Sequence, residues 1–128
     1  RYKGRTDVML VELQEGTSVA GVFTKSATRS APVLDCQAKI DAPSAARSAL
    51  LVNSGNSNAF TGAAGEKSVE AICSAVADTL SIDAARVFTA STGVIGERLP
   101  HDRIVAHAVE HNRPLQAFVL LGLGLFTK

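Results

Sequence analysis

Tryptophan is absent from this 128-residue sequence, and one Tyr and five Phe bring the aromatic content to only 5%. So few rings exclude the stacking platform on which single-stranded nucleic acid is usually held. An excess of either charge is lacking too, since thirteen Lys and Arg face twelve Asp and Glu, a formal +1. A protein gripping nucleic acid through its phosphates shows a basic surplus, so this balance speaks against that class. Cysteine is scarce: Cys36 and Cys73 are the whole complement. Two cysteines build no disulfide framework, and their wide spacing matches no metal pattern. They read as small buried apolar side chains in a reducing compartment. No apolar run is long enough to span a bilayer; the most apolar stretch, residues 118–126, is too short. Nothing has the architecture of a signal peptide. The first residue, Arg1, already lies in a patterned segment, which points to a longer gene product.

What is present is a globular composition, with 46% hydrophobic and 20% charged residues. Residues 7–13 (DVMLVEL) and 18–24 (SVAGVFT) are short apolar runs separated by Glu15-Gly16, which predicts a hairpin. Residues 31–40 are ambiguous, although Pro32 suits a first helical turn and Val33, Cys36 and Ile40 recur at helical spacing. Residues 49–53 (ALLVN) read as a buried strand, and residues 54–65, dense in Gly, Asn, Ser and Thr, as a loop. A helix is expected over 66–80, with Val69, Ile72, Cys73, Val76, Ala77 and Leu80 as its apolar stripe. A second strand over 86–90, a loop over 91–96 and a helix over 101–111 follow, the last stopped by Pro114. Strand, Gly-rich loop and helix therefore recur twice. This predicts an α/β fold with its interesting loops at strand ends.

Three places have the residue types for chemistry. Asn53, Asn56 and Asn58 stand within six residues directly after an apolar strand, with Gly55 among them. Asn offers donors and acceptors and tolerates left-handed backbone. Such a loop either orients a polar substrate, braces a neighbouring catalytic loop, or is an ordinary turn closed by Asx bonds. Thr92-Gly93, after the next strand, could present hydrogen-bond donors to a developing oxyanion, or simply connect strand to helix. The local pattern is neither a GxSxG elbow nor a P-loop. Finally, His107, Glu110 and His111 match the H-x-x-E-H pattern of a zinc hydrolase. Pro114 cuts that helix short, and the polar end of a helix is the simpler reading.

The ordered set Lys3-Gly4-Arg5-Thr6-Asp7, Val19-Ala20-Gly21-Val22-Phe23-Thr24, Ala31-Pro32-Val33, Val52-Asn53-Ser54-Gly55-Asn56-Ser57-Asn58-Ala59, Thr61-Gly62 and Ser91-Thr92-Gly93-Val94-Ile95-Gly96 resembles the N-terminal part of the ornithine acetyltransferases. These are the bifunctional glutamate N-acetyltransferases of arginine biosynthesis. The resemblance covers residues 1–112; residues 113–128 form an atypical apolar tail. It implies the N-terminal part of a layered α/β sandwich completed by a second chain, assembled as two copies of each. It implies acetyl transfer from N-acetylornithine to glutamate, with acetyl-CoA as a substrate in some members and no cofactor or metal. In the family an N-terminal Thr, freed by self-cleavage at the start of the second chain, is the nucleophile. Thr92 and Gly93 match the family's oxyanion hole, while Asn53, Gly55, Asn56 and Asn58 fall in a loop that supports it. The resemblance further implies a cytoplasmic enzyme (matrix-located in mitochondria of eukaryotes), with no nucleic-acid or membrane partner. Without the nucleophile these residues alone are expected to be inactive. The alternative is a non-catalytic remnant or interaction domain on the same scaffold.

Overall fold

Apolar residues on both faces of two neighbouring runs set the architecture. In a computed structural model, which describes residues 7–42, 44–110 and 115–116, these runs are strands β1 (Val8–Leu13) and β2 (Ser48–Asn56). Between them lies α1 (Ala31–Ile40). After β2 come α2 (Gly62–Leu80), a 3-10 turn at Ala84–Arg86, β3 (Val87–Val94), α3 (His101–Glu110) and the two-residue β4 (Leu115–Gln116). The sheet order is β3-β2-β1-β4. β1 runs antiparallel to β2, from Val8 opposite Asn53 to Leu13 opposite Ser48. β2 and β3 are parallel, joined by α2 as a βαβ crossover. This is the expected α/β class.

The expected hairpin between residues 7–13 and 18–24 does not form, because residues 18–24 adopt no strand. β1 takes β2 as its partner instead. Two causes act together. Ala20 and Gly21 weaken the second run as a strand, and the Gly16 N–H donates to the Ala45 carbonyl at 2.8 Å, turning the chain toward the start of β2. Residues 31–40, ambiguous in sequence, are helical; Pro32 sits in the first turn, where its missing N–H is not needed. α2 starts at Gly62, four residues before its expected start, and β3 continues through the segment expected to be loop as far as Val94.

The expected stripe of α2 is buried in full. Val69, Ile72, Cys73, Val76, Ala77 and Leu80 pack with Ala49 and Leu51 of β2, Val87 of β3, and Leu99, Ile104 and Ala108 around α3. The C-terminus of α2 closes through left-handed Ser81. There Arg47 donates to the carbonyls of Leu80 and Ser81, at 3.2 and 3.3 Å, and to the buried Glu12 carboxylate at 2.8 Å. One guanidinium thus ties β1 to the negative end of α2. Among the described residues no helix is long and apolar enough to cross a membrane.

α1 lies along β3. Cys36 Sγ donates to the Thr89 carbonyl at 3.3 Å, and Lys39 Nζ donates to the Val87 carbonyl at 3.2 Å and the Asp35 carboxylate at 2.7 Å. Lys39 Nζ also stands 3.4 Å from Cys73 Sγ. Both cysteines are free and buried, as the sequence suggested. Burial pushes the Cys36 thiol up. For Lys39, burial pulls down, but the Asp35 carboxylate and Cys73 outweigh it and raise the ammonium. Burial raises the Cys73 thiol from its ordinary 9.0 to about 11, with Lys39 opposing. A raised acid is neutral in the fold and ionises sooner once unfolded. Its stabilisation is therefore complete below pH 9 and is lost as the pH rises to about 11. Urea unfolding should show stability falling over that interval, by up to about 2–3 kcal/mol from this group. In Cys73→Ala the fall should be shallower; an unchanged alkaline slope would contradict the assignment.

Candidate functional site

The parallel pairing of β2 and β3 carries their C-terminal ends to the same edge of the sheet, where open α/β sheets hold their ligands. Asn53 stands opposite Ser91, Ser54 opposite Thr92 and Gly55 opposite Gly93. The register then slips: Asn56 faces both Thr92 and Val94, a bulge that ends regular pairing. The two segments singled out in the sequence are thus one structure.

Gly93 is required by the neighbouring strand. A Cβ there would meet the Gly55 carbonyl group and come within 2.6 Å of the Asn56 nitrogen, and φ is +131°, a conformation that side chains rarely adopt. The sequence reading of Thr92-Gly93, as oxyanion donors or as a plain connector, contains no sign of this constraint. Thr92 and Gly93 are both exposed. The Thr92 hydroxyl makes no hydrogen bond among the described residues, so it is available to a ligand oxygen. It stands on a strand held by β2 and α1, and such a mounting fixes a donor better than a loop does.

The three asparagines are buried and their amides are engaged at both ends. Asn53 accepts the Ser91 hydroxyl at 2.6 Å and donates to the Asn56 carbonyl at 2.9 Å. Asn56 accepts the Asn58 N–H at 2.7 Å and donates to the carbonyls of Glu97 and Arg98 at 3.1 and 3.3 Å. Asn58, in left-handed backbone, accepts the Thr61 hydroxyl at 2.8 Å and donates to the Gly65 carbonyl at 3.0 Å. Together they run from β3 across the loop to the first turns of α2. They brace the Thr92–Gly93 segment, and Gly55, with φ +100°, lets the chain turn into the bulge.

Sequence reasoning missed several members of this network. Ser91 closes it from β3. Ser57 donates from both N–H and hydroxyl to the Val94 carbonyl, each at 2.9 Å. Gly65 is small because a Cβ would lie 2.7 Å from Asn58 Oδ1. A glycine inside a helix start was the one available signal. A cavity of about 140 Å³ adjoins the loop, lined by Thr28, Arg29, Ala31, Leu34, Phe60, Thr61, Gly62 and Glu66.

Among the described residues no three His, Cys, Asp or Glu gather as a metal site. His107 is exposed, only the backbone of Glu110 is described, and His111 lies outside the described residues. His101 does more than start a helix: its Nδ1 lies 3.0 Å from Ser68 Oγ and its Nε2 3.5 Å from Asp102. Ser68 is buried and bonds the Ala64 carbonyl at 2.9 Å, so the trio staples α2 to α3 and offers no accessible nucleophile.

Losing the Asn58 side chain would leave the Thr61 hydroxyl only its longer bond to the Asn58 carbonyl, 3.3 Å, and would remove the amide that ties the loop to the Gly65 carbonyl of α2. Asn58→Ala should therefore lower stability by about 2–4 kcal/mol. Gly93→Ala should break the β2–β3 pairing at Gly55 and Asn56. Thermal melts of either variant within a degree or two of the parent would refute the bracing role.

The model of the ArgJ family matches residues 1–120. The arginine biosynthesis bifunctional protein ArgJ of Ruegeria pomeroyi is 64% identical over 115 residues, which are 90% of this chain and 28% of that protein. Its counterpart in Gluconobacter oxydans is 54% identical over 106 residues, 83% of this chain and 24% of that protein. The chain thus spans about a quarter of the length of these relatives. Among solved structures, the arginine biosynthesis bifunctional protein of Bacillus halodurans superposes with a TM-score of 0.71 at 30% identity, covering 85% of this chain and 56% of that one. The ornithine acetyltransferase of Mycobacterium tuberculosis, complexed with ornithine, gives 0.66 at 39% identity over 73% of this chain and 50% of that one. With 120 of its residues inside the family model, this chain belongs to the ArgJ family.

Proposed function

We propose that this chain is the oxyanion-stabilising part of an acetyltransferase that moves an acetyl group from N-acetylornithine to glutamate. The observation that carries the reading is the exposed Thr92 hydroxyl, mounted beside Gly93 on a strand end that the three asparagines hold still. Family membership supplies the chemistry to which that donor belongs. In the proposed reaction, an N-terminal Thr on a second chain of the same precursor adds its hydroxyl oxygen to the acetyl carbonyl. The carbonyl π pair moves onto oxygen, where Thr92 and the Gly93 backbone meet the new charge. The amine of that N-terminal Thr takes the hydroxyl proton and passes it to the leaving nitrogen, so collapse expels ornithine as a neutral amine and leaves an acetyl ester on the enzyme. The amine of glutamate then attacks that ester through a second oxyanion at the same place and regenerates the Thr. Acetyl-CoA would enter as an alternative donor at the first step, and no cofactor is needed. The working protein on this reading is a cytoplasmic assembly of two copies of each chain. This chain without the nucleophile is inactive.

Thr92 is small and exposed, so its loss should leave the fold intact. In the complete enzyme, Thr92→Ala should lower kcat by ~10²–10³ while KM for N-acetylornithine changes little, because the donor acts on charge absent from the bound substrate. Unchanged kcat, or a change confined to KM, would remove Thr92 from the oxyanion hole.

A further inference from the structure

One group of reactive side chains lies outside the candidate site and has no part in the proposed reaction. Lys39 of α1 and Cys73 of α2 meet where both helices pack against β3, with Nζ 3.4 Å from Sγ. Two acceptors hold the pair in place. The Val87 carbonyl accepts the ammonium at 3.2 Å and the thiol at 3.6 Å. The Asp35 carboxylate accepts the ammonium at 2.7 Å and lies 3.9 Å from the sulfur. Only 16% of the Lys39 side chain is exposed, against the ordinary preference of lysine for water. The cluster is nevertheless not sealed. A cavity of about 190 Å³ between α1 and α2, lined in part by Leu34, Asp35, Val69 and Glu70, reaches the carboxylate from outside. Val69 stands one helical turn before Cys73 on the same face of α2. A small neutral oxidant therefore has a route toward the sulfur.

We infer that Lys39 and Cys73 are a site of covalent oxidative modification, in which hydrogen peroxide joins them through one bridging oxygen, an N–O–S link between α1 and α2. The Cys73 sulfur attacks one peroxide oxygen, the O–O bond breaks, and a sulfenic acid and water result; sulfur has given up two electrons. The Lys39 nitrogen, once its proton has passed to Asp35, attacks a second peroxide in the same way and becomes a hydroxylamine, again with release of water. The hydroxylamine oxygen then attacks the sulfenic sulfur and expels a third water, with no further redox change. In sum, one thiol, one ammonium and two peroxides give the bridge, three waters and one proton. An inserted oxygen suits the 3.4 Å gap, whereas a direct N–S bond would pull α1 much further into α2. The Cys36 sulfur, by contrast, is bonded to the Thr89 carbonyl and to no lysine among the described residues. Burial raises the Cys73 thiol to about 11, so the first step is slow at neutral pH and quickens as thiolate grows. The site thus answers sustained oxidant rather than a brief pulse.

The test is peptide mapping by mass spectrometry of the purified native protein after exposure to hydrogen peroxide. The peptides carrying Lys39 and Cys73 should appear joined, at the sum of their masses plus about 14 Da, for one oxygen gained and two hydrogens lost. The yield should rise with pH, and a dithiol reductant should return both peptides unmodified. Cys73→Ser and Lys39→Arg should each abolish the joined species, while Cys36→Ser should leave it. Lys39→Arg keeps a cation for Asp35, so its result does not depend on a damaged fold. Met9, the one methionine and 43% exposed, reports that oxidant was sufficient. Unlinked sulfinic acid at Cys73, joined peptides lacking the added oxygen, or a link that survives Lys39→Arg would overturn the inference. So would unmodified Lys39 and Cys73 peptides once Met9 is fully converted to its sulfoxide. None of these readouts depends on turnover, so the acetyl-transfer reading and this site stand or fall separately.

Discussion

Where β3 passes β2 at Gly93, two backbones approach so closely that no side chain fits between them. The register slip at Asn56 follows from that approach, because two residues of one strand must share a single partner on the other. The slip turns the Asn56 side chain toward the carbonyls of Glu97 and Arg98, and so fixes the path of the chain after β3. It also sets Asn58 where its amide can reach the start of α2. Thr92 inherits its position from all of this. Its hydroxyl is placed by contacts that Thr92 itself does not make.

Much of this was legible in the sequence, for identifiable reasons. The stripe of α2 has helical period and is buried residue for residue, since periodicity reports directly on which face is covered. Residues 49–52, the apolar part of the expected strand ending at Asn53, become the centre of β2, where both flanks are paired. The pairing of β1 was not legible. An apolar run followed by a Gly turn looks like a hairpin, and only the competition between residues 18–24 and β2 for the same strand decides otherwise. The end of β3 was also hidden: Ser91-Thr92-Gly93 has turn composition, yet it pairs, because Gly55 and Gly93 allow an approach that composition does not reveal.

The candidate site shows the same division. Three asparagines in six residues marked the loop correctly as unusual, but not what they do. Asn56 reaches the distant main-chain carbonyls of Glu97 and Arg98, which no local pattern encodes, while Asn53 and Asn58 close on the nearer carbonyls of Asn56 and Gly65. Ser91 was invisible, and Gly65 nearly so, for the related reason that each is ordinary in its own segment and acquires its role from Asn53 or Asn58. Thr92 and Gly93 gained their oxyanion role from family resemblance, the local residues alone favouring a plain connector.

The contacts of α1 along β3 have a consequence for how a larger assembly can be built. The outer carbonyls of Val87 and Thr89 are already engaged by Lys39 and Cys36, so that border of the sheet offers little to an incoming strand. At the opposite border β4 is only two residues long and lies against Val11 and Glu12 of β1. Residues 8–10 have no strand beside them there among the described residues. The edge left open to a further strand is therefore the one past β1, on the side of the sheet away from β3, while the β3 side is left to make a site.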